Sequence, residues 1–579
     1  MLTRAAPGDQ AGEHHSAQTQ RRSPLRADGA GALGRVDVLL AALLGLAAMA
    51  VALVYRSAIV PTDPWHYVQG ALAFPDGSWR PEGLSRWGYL LPIIPFARLW
   101  GDATATYYAV PLLCTGVLAA VLFLLGTRLV ERLAGLLGAV LALATPLVFV
   151  NLTRGYTDLA ATTLVGLAIL LATLARDAAA AAEWSGATDA GGVRWGWRVP
   201  LLLVATGFVT GWSFEVRETA VFAWPVIGWI LWRIGRPLGT LAWFAPPALG
   251  WLVLDILLCA WVYGDPLLKF RYILGADIAS SEVLSDAGYV GQSRWWYATV
   301  LPRSIWDVSG GPALLVALLV GLLGGFVLRR QVGTIWAWGT LTLLLLWAQG
   351  GPLDPAHPSV RLDVARYWLS FIVPLLLTAA CVLVLAVRAT RGWLRTGAML
   401  ASGALVLGIL VPSAQFATTY PGFAPNGGDA MAQLRTHLAA SGGLPDSTVW
   451  ADWGTNRILP IYQAGPFGDI RWRADDFRAI NRLGRTDPAT WKAYPRPGDA
   501  VVVYSPRDRT CWHCRRAGRD AQALFGAFPQ AGWIEEFRSS DDNLILYRLG
   551  PAAVWPRSGA PAAGAGTGTR GEDGGDPGL

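Results

Sequence analysis

Apolar runs of about 16 to 22 residues, separated by short charged stretches, fill residues 36–415 of this chain. A helix of that length crosses a hydrocarbon core of roughly 30 Å. Lipid offers no water to satisfy exposed backbone groups, so such runs must be helices. Eleven are read, at about 37–56, 105–127, 133–150, 158–176, 199–214, 219–233, 238–263, 311–328, 332–349, 367–387 and 396–414. Length alone would allow three or four soluble domains, but the chain is 53% hydrophobic and only 15% charged. Soluble domains carry roughly 25% charged residues. The net charge of +7 is spread over alternate ends of the apolar runs instead of forming one patch. That excludes a nucleic-acid partner and points to membrane lipids. The 29 tryptophans suit a protein with two membrane–water interfaces.

Sidedness follows from the arginines. With a cytoplasmic N-terminus, the inner segments carry Arg21, Arg22, Arg26 and Arg35, then Arg128 and Arg132, then Arg176, Arg194 and Arg198. Arg233 and Arg236, Arg329 and Arg330, and Arg388, Arg391 and Arg395 continue the series. Each predicted inner connection is arginine-bearing, whereas the outer loops mix both signs. No small-residue cleavage site follows the first run, so it reads as a span and not a cleaved leader. The expectation is a multi-pass plasma (inner) membrane protein with everything after Ala414 outside.

Residues 420–550 change character. Charge becomes frequent and apolar runs shrink to strand length at Thr448–Trp450, Ala500–Tyr504 and Leu544–Tyr547, with helical patterns at Ala430–Ala440 and Ala517–Phe528. This predicts a small extracytoplasmic α/β domain behind an α-helical membrane domain. Residues 1–35 and 551–579 read as disordered tails. Cys114, Cys259 and Cys381 lie in apolar runs as small core residues. Cys511 and Cys514 form a lone C-x-x-C, read as a local disulfide or idle thiols.

Unexpected polar residues mark candidate chemistry. The outer loop 57–104 holds Pro61-Thr62-Asp63-Pro64-Trp65-His66-Tyr67 and Ser85-Arg86-Trp87-Gly88-Tyr89, two aromatic-rich segments suited to interfacial helices. Asp63 either stands above the outer leaflet as a functional acid or caps a helix that starts at Pro64. Asp158, entering the fourth span, is open to the same two readings. Asn151-Leu152-Thr153 matches a glycosylation pattern but lies against the membrane, a chance match. Arg217, Lys269, Arg271 and Arg366 oppose the inside bias. They serve either salt bridges, with Glu215 and Glu218 beside Arg217 and Asp363 before Arg366, or an anionic ligand. Asp255, inside the seventh span, requires protein or water around it. His66 lies three residues after Asp63, a pair that a divalent metal could bind, though no further ligand closes the set. No phosphate-cradling glycine loop is present, which argues against an ATP-driven pump.

Taken in order, several short elements resemble the GT-C superfamily of polyprenyl-phosphate-dependent glycosyltransferases. The likeness is to the branch holding protein O-mannosyltransferases and aminoarabinose transferases. They are Thr62-Asp63-Pro64-Trp65-His66-Tyr67, Arg86-Trp87-Gly88-Tyr89-Leu90-Leu91-Pro92, Arg154-Gly155-Tyr156-Thr157-Asp158, Val216-Arg217-Glu218-Thr219, Tyr263-Gly264-Asp265-Pro266 and Arg366-Tyr367. The outer Val449-Trp450-Ala451-Asp452-Trp453 also looks like the family's outer domain. Two elements depart from the pattern: Pro64 stands where members often have Glu, and Arg86-Trp87-Gly88 where they often have His-Pro-Pro. These bear on substrate identity and on any metal at the first loop more than on the reaction class.

The resemblance implies inverting transfer of a hexose or pentose from a polyprenyl-phosphate donor to an envelope glycan, lipid or protein. Asp63 would act as base and Asp158 as a second carboxylate, with His66, Tyr67, Arg86, Arg217, Lys269, Arg271, Arg366 and Tyr367 binding substrate. A secondary transporter or flippase would place polar groups at the midplane on repeated helices, and no such repeat is evident. A non-catalytic assembly protein would need Asp63 only as a cap.

Overall fold

All eleven apolar runs are helical in a computed structural model of the chain. It describes residues 33–77, 86–184, 188–189, 192–193, 195–271, 273, 289–420, 422–426, 430–441, 447–463, 465–468, 476–480, 495–504 and 532–553. Helix α1 (Arg35–Val54) leads into two helices of the long first connection, α2 (Asp63–Ala73) and α3 (Trp87–Trp100). Then come α4 (Thr104–Leu129), α5 (Arg132–Ala144), α6 (Pro146–Phe149), α7 (Thr157–Trp184), α8 (Arg198–Val216), α9 (Trp224–Trp232) and α10 (Pro237–Tyr263).

Among the described residues, eight helices are individually long and apolar enough to cross a membrane. They become nine if Arg294–Trp306 and Gly311–Val327, bent by 119°, count as one span. The other runs fall short for local reasons. Pro146 ends α5 at 13 residues, because proline offers no amide to continue the ladder. The run at 219–233 opens with a 3₁₀ stretch, Glu218–Ala223, before α9. A π-turn at Val320–Gly324 interrupts the eighth run, where a Cβ on Gly321 would lie 2.3 Å from the Leu375 carbonyl oxygen.

Burial sorts the helices into centre and rim. The apolar windows of α7 and of Ala365–Ala389 are 83% and 72% buried, so these two form the middle of the bundle. The corresponding values for α1, α10 and Gly392–Thr419 are 22%, 22% and 11%, and their exposed leucines suit lipid contact.

The C-terminal domain is a five-stranded sheet in the order Phe477–Ala479, Val449–Ala451, Ala500–Tyr504, Leu544–Leu549, Trp533–Arg538. The first three strands are parallel and the last two join antiparallel; helix Ala430–Ala440 precedes the sheet, and helix Trp453–Gln463 lies between strands Val449–Ala451 and Phe477–Ala479 in sequence. The expected helix at 517–528 and both Cys511 and Cys514 lie outside the described residues. The domain is tied to the first loop by the Ser57–Phe423 bridge and the Ala424 amide on the Arg56 carbonyl at 3.0 Å.

Candidate active site at one end of the bundle

Four chain segments far apart in sequence meet where α1 ends, α7 begins, α8 ends and the central helix Leu369–Ala389 begins. Antiparallel packing of neighbouring spans dictates this meeting, since connections on one side of the membrane collect at one end.

Asp63 opens α2 with Thr62 before it and Pro64 at the second helical position. The capping reading placed Asp63 outside the helix. Instead its carboxylate turns to Arg366, whose guanidinium donates to Oδ2 at 2.9 Å. The Asp63 side chain is 41% exposed. Burial pushes its pKa up, but the positive charge of Arg366, then Arg86 and Arg217, outweighs this and holds it below the ordinary carboxylate range.

Asp158, second in α7, is 6% exposed and gripped by Arg217, with Nε at 3.0 Å from Oδ1 and a second nitrogen at 3.1 Å from Oδ2. This is the two-bond fork that a guanidinium makes with a carboxylate. Arg217 sits at the end of α8 in extended backbone, which frees it to reach across to α7. Arg86 precedes α3 and donates to the Tyr67 hydroxyl at 2.6 Å and the Thr157 hydroxyl at 3.0 Å. It also lies 3.5 Å from Glu218. Arg217 donates to the same Thr157 hydroxyl at 3.3 Å, so one side chain joins two arginines. Burial opposes the charge on Arg86, but the nearby Tyr67 oxygen and the Glu218, Asp63 and Asp158 carboxylates outweigh it and keep the guanidinium protonated. Burial pushes the Tyr67 hydroxyl up.

Aromatic faces complete the cluster. Arg366 lies over Tyr156 at 4.4 Å and over Tyr367 at 5.2 Å, and Arg217 over Tyr367 at 4.8 Å. A small cavity of about 20 Å³ adjoins Asp158 and Arg217, walled by Ala161, Val165, Ala220, Ala223 and Trp338, with Thr162 and Ser370 among its polar groups.

Not every candidate joins this site. Lys269 is 1% exposed and ion-paired with Glu215, with Asp255 at 3.9 Å, so it supplies the partner Asp255 needed and is spent there. Arg271 is 69% exposed and binds Asp265 at 2.6 Å. His66 turns away to Arg457 of the C-terminal domain, with 3.3 Å between Nε2 and the guanidinium. The local salt bridges expected from sequence are also replaced. Glu215 and Glu218 bind Lys269 and Arg86 rather than Arg217, and Asp363 binds Arg361 rather than Arg366. Arg217 leaves α8 in extended backbone and reaches α7, while Asp363 pairs with the arginine two residues before it. Asn151 is 4% exposed and its amide donates to the Leu147 carbonyl, which fits no glycosylation acceptor.

Tyr156, Thr157 and Arg457 were not singled out by sequence. Tyr156 and Thr157 stand within the Arg154–Asp158 element, but nothing in their type marks them.

Among the described residues, no group of three or more His, Cys, Asp or Glu side chains could hold a metal ion. Asp63 and Asp158 each already carry an arginine, and His66 faces another, so this donor set does not suit the divalent cation that the Asp63–His66 spacing left open.

No protein-family model and no curated protein matches the chain. Solved structures are similar in outline. The Archaeoglobus fulgidus oligosaccharyltransferase tethered to an acceptor peptide containing the NVT sequon is 11% identical over 89% of this chain and 74% of that one, with TM-score 0.46. In its complex with Zn and sulfate the figures are 11%, 74%, 61% and 0.42, so the chain spans 61% of that relative's length. ArnT from Cupriavidus metallidurans bound to undecaprenyl phosphate is 14% identical over 90% of this chain and 99% of that one, with TM-score 0.44. Likenesses this distant decide neither activity nor ligand.

Proposed function

We propose that this chain is a glycosyltransferase of the GT-C kind, moving a sugar from a polyprenyl-phosphate donor to an envelope glycan, lipid or protein. It does so on the extracytoplasmic face of the plasma membrane. The observation that carries this reading is the meeting of Asp63, partly exposed, with Arg366, Arg217 and Arg86 around one site.

The acceptor hydroxyl attacks the anomeric carbon as the bond from that carbon to the phosphate oxygen breaks. The hydroxyl proton passes to Asp63, and the polyprenyl phosphate leaves with one more negative charge than it had as a diester. A single displacement inverts the anomeric centre. Phosphate is a good leaving group, so a carboxylate held ionised suffices as base and no strong acid is needed. Arg366 and Arg217 meet the charge that develops on the phosphate, where fixed donors are most effective. Asp158, bound through both oxygens, holds Arg217 in place.

Purified protein in lipid, supplied with radiolabelled polyprenyl-phosphate sugars and envelope extracts, should transfer label, and Asp63→Asn should abolish transfer with donor binding intact. Full activity in Asp63→Asn would remove the base. No transfer with any donor, alongside substrate flux in vesicles, would favour a transporter.

A further inference from the structure

The C-terminal domain reaches back to the turn that carries Asp63. Arg457, on the helix Trp453–Gln463, lies over the Trp453 ring at 3.3 Å and the Trp65 ring at 4.6 Å. The same guanidinium donates to the Pro61 carbonyl and approaches His66 Nε2, both at 3.3 Å. Pro61 lies two residues before Asp63, and Trp65 and His66 lie two and three residues after it in the first turn of α2. The helix bearing Arg457 is itself fixed at its start, where Asp452 Oδ1 accepts from the Gly454 amide at 2.9 Å and the Thr455 amide at 3.1 Å.

A second contact comes from the end of the same segment. The Gly465 and Pro466 carbonyls accept from the Thr104 and Ala105 amides at 3.2 and 3.0 Å. The Phe467 ring meets Trp100 at 5.8 Å. Those amides open α4 and have no partner within their own helix, so this segment satisfies them. Residues 453–468 thus hold both ends of the 57–104 connection, one at Asp63 and one at Thr104.

We propose that residues 453–468 act as a clasp, and that Arg457 is a positioning residue for Asp63. This rests on the reading of Asp63 as base. Arg457 fixes Pro61 and Trp65 on either side of the acid, so α2 cannot roll and carry the carboxylate away from Arg366 and the acceptor. Loss of the clasp leaves the donor site of Arg217 and Arg86 in place but lets the base drift. Misplacement on the scale of an ångström lowers turnover by about ten- to a hundredfold.

The test measures steady-state transfer from a radiolabelled polyprenyl-phosphate sugar by full-length protein in lipid nanodiscs. Wild type is compared with Arg457→Ala, Arg457→Lys, Phe467→Ala and Asp63→Asn, with folded recovery checked by size exclusion. The expected pattern is a fall in kcat of about tenfold or more for Arg457→Ala, donor KM within about twofold, and partial rescue by Arg457→Lys. Phe467→Ala should lower kcat in the same direction by less. Wild-type kcat in Arg457→Ala, or a change in KM alone, would overturn the clasp. So would an activity loss that only tracks folded recovery and is not rescued by lysine. An inactive Asp63→Asn beside an unaffected Arg457→Ala sinks the clasp and leaves the base reading standing. A fully active Asp63→Asn sinks the base reading first.

Discussion

Arg366 reaches Asp63 Oδ2 at 2.9 Å across 303 positions of sequence, joining the start of a central helix to the start of an interfacial one. The pair gives a carboxylate that is enclosed yet ionised. Arg366 is also the largest of the attractions that overcome the burial of Asp63.

Replacing Arg366 by Gln should therefore move the acid limb of the pH–rate profile upward. A carboxylate with a lowered native pKa keeps its basic form until the pH falls through that lowered value. Without Arg366, burial still raises the pKa and less charge opposes it, so protonation sets in at higher pH. Donor KM should rise by about ten- to a hundredfold as one charged hydrogen-bonding group is lost from the phosphate. The profile of kcat/KM against pH checks both, and an unmoved acid limb would show that Asp63 is not the group being read.

Asp158→Asn should act differently. Arg217 loses a two-oxygen partner, and the remaining amide offers it one acceptor and a repelling donor. Arg217 then swings or pairs with Glu218, so donor KM should rise by about tenfold while the acid limb stays in place. Asp158→Glu tests geometry with the charge kept. A collapse of kcat in Asp158→Asn with KM unchanged would mean that Asp158 touches the reacting atoms.

The bundle was legible from the period and length of its apolar runs, because lipid enforces that pattern residue by residue. Asp63, Asp158, Arg217 and Arg366 drew attention as charged residues at the ends of apolar runs, in segments expected to face outward. Their pairing was not. Arg217 chose Asp158, 59 residues away, over two adjacent glutamates. That choice is set by which helix ends meet. Lys269 looked like an outer cation because its loop is polar, but the loop folds back and buries it between α8 and α10 carboxylates. Arg457 carried no signal, since its partners beyond its own helix are the Pro61 carbonyl, the Trp65 ring and His66, all some 390 residues earlier in the chain.

Lys269→Met should damage stability more than chemistry. Glu215 is 1% exposed and Asp255 likewise, so removing the ammonium leaves two carboxylates facing each other in a dry pocket. Breaking a buried pair this way costs about 3–5 kcal/mol. Thermal unfolding in detergent should show the loss, and the triple variant Lys269→Met, Glu215→Gln, Asp255→Asn should recover much of it. If the single variant unfolds like wild type, the cluster is wetter than its burial indicates.

Gly88→Ala should injure the site by steric means alone. A Cβ on Gly88 would stand 2.8 Å from the Glu215 carbonyl carbon, its Cβ and the Val216 amide nitrogen. That is closer than real Cβ atoms pack, and two of the opposing atoms are backbone, so α3 and the end of α8 must separate. Arg86 lies two residues before Gly88, and Arg217 follows Val216. Both arginines therefore move apart, and the shared Thr157 hydroxyl can no longer serve the two at once. Overpacking of this kind costs about 1–3 kcal/mol in stability. The loss in kcat/KM should be larger than that of Gly→Ala at Gly228, which sits mid-helix in α9 with open space beside it. Equal activity in the two variants would mean that the approach of α3 to α8 does not set the spacing of the arginines.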